Sequence, residues 1–171
     1  MAYEIMNVLI DNWPATQLVG HRYTFEDADE TAFGHLWEKW NASDRWANLA
    51  KLGKPIACVG LMRLKGESFE YWIGNLFAER IQVPEAFESL KFPAIKAATA
   101  WIEGFPNEIF GKDPACGAWD TILQKYPNLK RKTVDGWMIE LENYTARFDR
   151  VNSEGHLTLD YLFFCYRLEK K

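Results

Sequence analysis

The chain lacks most of what common site chemistries require. It has only three cysteines, Cys58, Cys116 and Cys165, far apart and without a C-x-x-C spacing. That excludes a disulfide framework and implies reduced thiols, with the cytoplasm as the expected location. Its three histidines, His21, His35 and His156, fall in separate segments with no H-x-x-x-H or H-E-x-x-H, so neither a metal nor a cofactor is expected. No glycine-rich phosphate loop and no G-x-S-x-G occurs. Cys116 precedes a helical pattern, where a thiol's pKa falls, but the sequence places no base beside it, and a structural thiol is expected.

Clustered positive charge is also scarce. The net charge is −4, and only Lys130-Arg131-Lys132 and Lys170-Lys171 group basic residues. A phosphate backbone needs such clusters, so no direct nucleic-acid binding is expected, and the triplet reads as a solvated helix end. No apolar run reaches membrane-spanning length, and Met1 to Ile5 has no basic n-region, so neither a membrane span nor a signal peptide is expected.

What the chain has in excess is aromatic surface. Of its 171 residues, 15% are aromatic, and eight are tryptophan. At 48% hydrophobic and 26% charged it is globular and sized for one domain with a real core. Leu, Ile and Val suffice to fill a core; surplus rings point to a cavity or an interface.

One alternating run places acids among these rings. In Trp137 to Tyr144, a strand puts Met138, Glu140, Glu142 and Tyr144 on one face and Trp137, Ile139, Leu141 and Asn143 on the other. A carboxylate among rings suits a desolvated organic cation, since the rings add cation–π attraction and the cation relieves the buried charge. Tyrosine hydroxyls are expected to hold the acid otherwise. Ring candidates are Trp37 and Trp40 on a helix, Tyr71 and Trp72 on a strand, and Phe105 and Phe110 before a second helix.

The chain also repeats itself. Trp13-Pro14-Ala15 and Phe92-Pro93-Ala94 lead into similar strands at an offset of 79 residues, and the same offset carries Trp40 to Trp119 and Ala57 to Gly136. Each unit reads as strand, helix, strand, strand. Extended segments are expected over 3–10, 17–24, 56–64, 68–77, 94–101, 137–145 and 158–168, and helices over 31–52 and 116–126. Asp29, Glu30 and Thr31 cap the first helix, and Phe105 to Phe110 forms a loop or first turn. The halves are about 1–80 and 81–171 of a single domain spanning 1–171. The expected fold is α+β: duplicated β-α-β-β units in one curved, mainly antiparallel sheet, with two helices on one side and a central ligand groove.

Tyr71-Trp72-Ile73-Gly74 and Leu141-Glu142-Asn143-Tyr144 resemble strands of GyrI-like small-molecule-binding domains, the effector-binding halves of AraC-type and MerR-type multidrug regulators. The aromatic-Pro-Ala turns and Ala100-Trp101-Ile102-Glu103-Gly104 fit the same pattern. The resemblance covers nearly the whole chain. It implies a groove for bulky, often cationic aromatic compounds, with Glu142 as counter-charge and Glu140 as a second acid. The expected ligand-binding set is Glu142, Tyr144, Trp72, Tyr71, Trp37, Glu140, Phe105 and Phe110. The domain is expected to fill the chain without a helix-turn-helix, as a stand-alone module with or without a separate protein partner. Some stand-alone relatives are hydrolases of small strained electrophiles. In that alternative Glu142 activates water and Tyr144 assists.

Overall fold

The computed structural model describes residues 3–28, 33–78, 80–110 and 116–168. In chain order these form β1 (Glu4–Trp13), β2 (Thr16–Tyr23), α1 (Gly34–Asn41), α2 (Arg45–Ala50), β3 (Ala57–Lys65) and β4 (Ser68–Phe77). Then come β5 (Glu88–Phe92), β6 (Ile95–Gly104), α3 (Pro106–Ile109), α4 (Cys116–Lys125), β7 (Leu129–Arg131), β8 (Met138–Tyr144) and β9 (Leu157–Arg167). No helix among the described residues is long and apolar enough to cross a membrane.

The sheet runs β1-β6-β9-β8-β3-β4-β2-β5, with β7 beside the end of β9, and every pair is antiparallel. Read outward from the β8–β3 seam, each side carries corresponding strands, and each flank ends on an edge strand lent by the other half. β1 and β2 are joined by Pro14-Ala15 alone, yet stand six places apart in the sheet. At about 4.8 Å per strand a flat sheet would separate them by about 29 Å. Three Cα steps cover only about 11 Å. The sheet therefore has to curl until its flanks approach. Pro93-Ala94, between β5 and β6, imposes the same condition. The repeated aromatic-Pro-Ala turn is thus the crossing point of two exchanged strands, and its proline, lacking an N–H, ends the ladder there.

Curling gives the sheet two buried faces. One carries the four α-helices of the described residues. Val19, Tyr71 and Ile73 pack under Leu36, Trp40 and Leu49 of α1 and α2. Ala100, Tyr161 and Phe163 pack with Ile109, Trp119 and Ile122 of α3 and α4. The other face closes on itself around Leu18, Leu61, Trp72, Leu76, Leu141, Leu162 and Phe164. Burial on both faces leaves β4 and β9 buried at nearly every position, Glu70, Asn75 and Asp160 included.

The curved antiparallel α+β sheet with helices on one side agrees with the expectation from sequence. The helices differ from it. The single helix expected over 31–52 is two, because Ser43 donates its hydroxyl to the Trp40 carbonyl and diverts the chain between α1 and α2. Its expected caps, Asp29, Glu30 and Thr31, lie outside the described residues. Pro106 stands at the first position of α3, a one-turn helix separate from α4 in the segment expected as a loop or first turn. Strands β5 and β7 are additional. Lys130 and Arg131 lie in β7 and are not a helix end; the Arg131 side chain is only 21% exposed.

Candidate functional site

Strands β3 and β8 form the seam between the two helix pairs, and Met62 of β3 touches both helix-side cores. On that face Glu142 stands opposite Gly60. The Tyr71 phenol donates to Glu142 Oε2 at 2.9 Å and the Tyr144 phenol to the same oxygen at 3.1 Å. Trp37 Nε1 donates to the Tyr71 hydroxyl at 2.8 Å, so a chain of donors runs from α1 to the carboxylate.

Gly60 makes this arrangement possible. A Cβ there would lie 2.3 Å from Glu142 Oε2 and 2.6 Å from the Tyr71 hydroxyl. A glycine inside a strand marks such close approaches. Rings surround the group. Phe33 stacks on Tyr71 at 4.2 Å, and Trp37 meets Tyr144 edge-on at 5.0 Å. Phe148 also meets Tyr144 edge-on, at 4.8 Å, and Phe110 lies nearly parallel to it at 6.3 Å.

The electrostatics follow from this enclosure. Burial pushes the Glu142 carboxyl above its ordinary pKa; the Tyr71 and Tyr144 donors oppose that rise, and the nearby Glu140 charge adds to it. Burial, with the Glu142 charge beside them, holds Tyr71 and Tyr144 well above the ordinary phenol value, so both remain donors. Cys58 shares this face, and burial pushes its thiol up to about 12, which makes it inert. Among the described residues no Lys, Arg or His pairs with Glu142, and its Oε1 receives no hydrogen bond.

The other expected residues divide. Tyr71, Tyr144 and Trp37 gather on Glu142, and Phe110, 39% exposed, forms the rim. Trp72 points to the opposite face, as strand parity next to Tyr71 demands, and its indole donates to Glu70 at 2.9 Å beside Arg63. Glu140 shares the Glu142 face but is already paired with Arg131 and accepts the Tyr161 phenol at 2.8 Å. Phe105 lies at the start of α3, packed edge-on against His156 at 4.4 Å and away from Glu142. Trp40 is core, with its indole bound to the Tyr23 hydroxyl. Gly60, Phe33, Met62 and Phe148 complete the group without having been expected. Phe33 had a visible signal, standing four residues before Trp37. Two cavities, of about 290 and 460 Å³, lie on the helix-free side around Lys91, Phe92, Val134 and Asp135.

The chain matches no protein-family model and no curated protein. Solved structures share its fold. The EcmrR C-terminal domain superimposes with a TM-score of 0.59 at 11% identity, covering 98% of this chain and all (100%) of that one. SAV2435, solved bound to tetraphenylphosphonium, gives 0.57 at 14% identity, covering 93% and 94%. An integron cassette protein from the mobile metagenome of Vibrio cholerae gives 0.55 at 14% identity, covering 96% and 98%. At such identities the likeness establishes a common architecture.

Proposed function

We propose that this chain is a GyrI-like ligand-binding module that takes bulky hydrophobic cations of aromatic character, with Glu142 as the counter-charge. One observation carries the reading: a partly buried carboxylate, held on one oxygen by two phenols, with no cation beside it among the described residues. A buried charge without a partner is costly, and a cationic guest removes that cost. Rings around the acid add about 2 kcal/mol each for a desolvated cation. Tyr71, Tyr144 and Trp37 hold the acid in place, and Phe33 and Phe110 supply further ring surface. SAV2435 shares the fold and was solved with a phosphonium cation, which supports the cation class. Trp72 and Phe105 face elsewhere and are not part of the proposed site.

Titration with a cationic rhodamine, read by quenching of tryptophan fluorescence, tests the proposal. Glu142→Gln is expected to weaken the dye by about 10- to 100-fold, the worth of one charge-assisted contact, and to leave a neutral analogue unchanged. Equal losses for both would refute a charge role.

A further inference from the structure

Glu140 sits in the same kind of setting as Glu142, and there the cation is built in. The seam is pseudo-symmetric about the Leu61–Leu141 pair, which makes Gly60 the counterpart of Glu140. Tyr71 stands opposite Met62, as Tyr161 stands opposite Glu142, so the two tyrosines correspond as well. Tyr161 donates to Glu140 Oε2, and Tyr71 donates to the Glu142 carboxylate, which reaches over the side-chain-free Gly60. The fold therefore contains two carboxylate–phenol pairs in related places.

The Glu140 pair is occupied. Arg131 Nη2 bonds Glu140 Oε1, and its guanidinium lies 4.9 Å from the Trp119 ring centre and 4.5 Å from that of Phe163. The two carboxylate oxygens divide their partners: Oε2 takes the phenol, and Oε1 takes the N–H of a planar cation held against rings. At Glu142 the phenol side is filled, since both phenols donate to Oε2, while Oε1 receives no hydrogen bond among the described residues. The ring centres of Phe110 and Tyr144 lie 6.3 Å apart with planes 21° from parallel, and Phe148 meets both rings edge-on. A planar group sandwiched between rings needs about 7 Å.

The geometry points to a planar, N–H-bearing cation, an amidinium or guanidinium on an aromatic body, as the guest of the Glu142 site, bound as the protein binds its own Arg131. This rests on the cation-binding reading above and narrows it. A planar fork places an N–H on a carboxylate oxygen while its faces meet rings; a quaternary cation offers charge and no donor.

Naphthalene-2-carboxamidine and (2-naphthyl)trimethylammonium carry the same ring system and charge, and only the first has N–H donors. Isothermal titration of the unaltered protein with both, and with tetraphenylphosphonium, separates the possibilities. The amidine is expected to bind about tenfold tighter than the ammonium or more, and Glu142→Gln to erase that margin. Equal affinities, or a tighter ammonium, overturn the planar-donor inference while the hydrophobic-cation reading stands. Binding of none of the three overturns both. The comparison between ligands is made on the unaltered chain, so it holds whether or not the variant folds.

Discussion

Placing a single methyl group at Gly60 tests the site without removing any of its polar groups. In Gly60→Ala the new Cβ lies 2.3 Å from Glu142 Oε2, so the oxygen has to retreat by about 1 Å to regain ordinary contact. The Tyr71 hydroxyl, 2.6 Å away, has little freedom to yield, because Phe33 stacks on its ring and Trp37 donates to its oxygen. Overpacking costs about 1–3 kcal/mol, and the loss of a hydrogen bond to a charged group about 1.5–3. Alanine in place of glycine in a strand returns about 0.5–1 kcal/mol. Rotation of the carboxylate toward water relieves part of the rest, leaving a loss of about 2–4 kcal/mol. For a domain of this size that is a fall in Tm of about 5–15 °C, measurable by calorimetry. The cause is isolated by repeating the substitution in a Glu142→Ala background, where its cost should drop by about 1 kcal/mol or more. A Gly60→Ala variant as stable as the parent, or one whose cost is the same in both backgrounds, refutes the placement of the carboxylate over Gly60.

Glu142→Gln should stabilise the ligand-free protein at pH 7 by about 1 kcal/mol, since folding draws this carboxylate partly out of water. Folding raises this carboxyl's pKa, so the protonated form favours the fold. That contribution is complete below the unfolded value near 4.5 and is lost as pH rises toward the folded one. The Tm advantage of the variant should therefore vanish near pH 4, and an advantage independent of pH counts against the assignment. Trp72→Phe removes the indole donor to Glu70 and should lower stability by about 1–2 kcal/mol while leaving dye quenching saturable with the same affinity; lost binding would place Trp72 in the site after all. Arg131→Met strands Glu140 and should cost about 3 kcal/mol in urea unfolding, and Arg131→Lys should recover little of it, because lysine cannot lie flat against Trp119 and Phe163.

Strand parity made much of the site legible. The alternation of Trp137 to Tyr144 already put Glu142 and Tyr144 on one face, and β8 keeps that face toward the helices. The Tyr71-Trp72 pair could not be resolved from sequence, because Tyr71 to Ile73 is an unbroken apolar stretch and carries no alternation to read. Glu140 stood as a second acid beside Glu142, since nothing local told that Arg131 would be folded back against it from the short strand β7. The break at Ser43 was hidden by strong helical spacing on either side, and the polar Asn41-Ala42-Ser43-Asp44 stretch was its only trace. Gly60 carried a signal, a lone glycine in an apolar strand, but its partner Glu142 lies in the other half of the chain.

The exchanged edge strands bear on how the chain reaches its native state. Neither half owns a complete sheet: β1 completes the flank built on β6, and β5 the flank built on β2. The halves are locked like clasped hands, so neither can mature fully before the other is present, and pairings such as Glu4 with Glu103 span most of the sequence. Closing such distant pairings is slow. The proposed site around Glu142 lies on the seam that forms between the two halves, so a guest caught there would reward assembly of the whole and neither part alone.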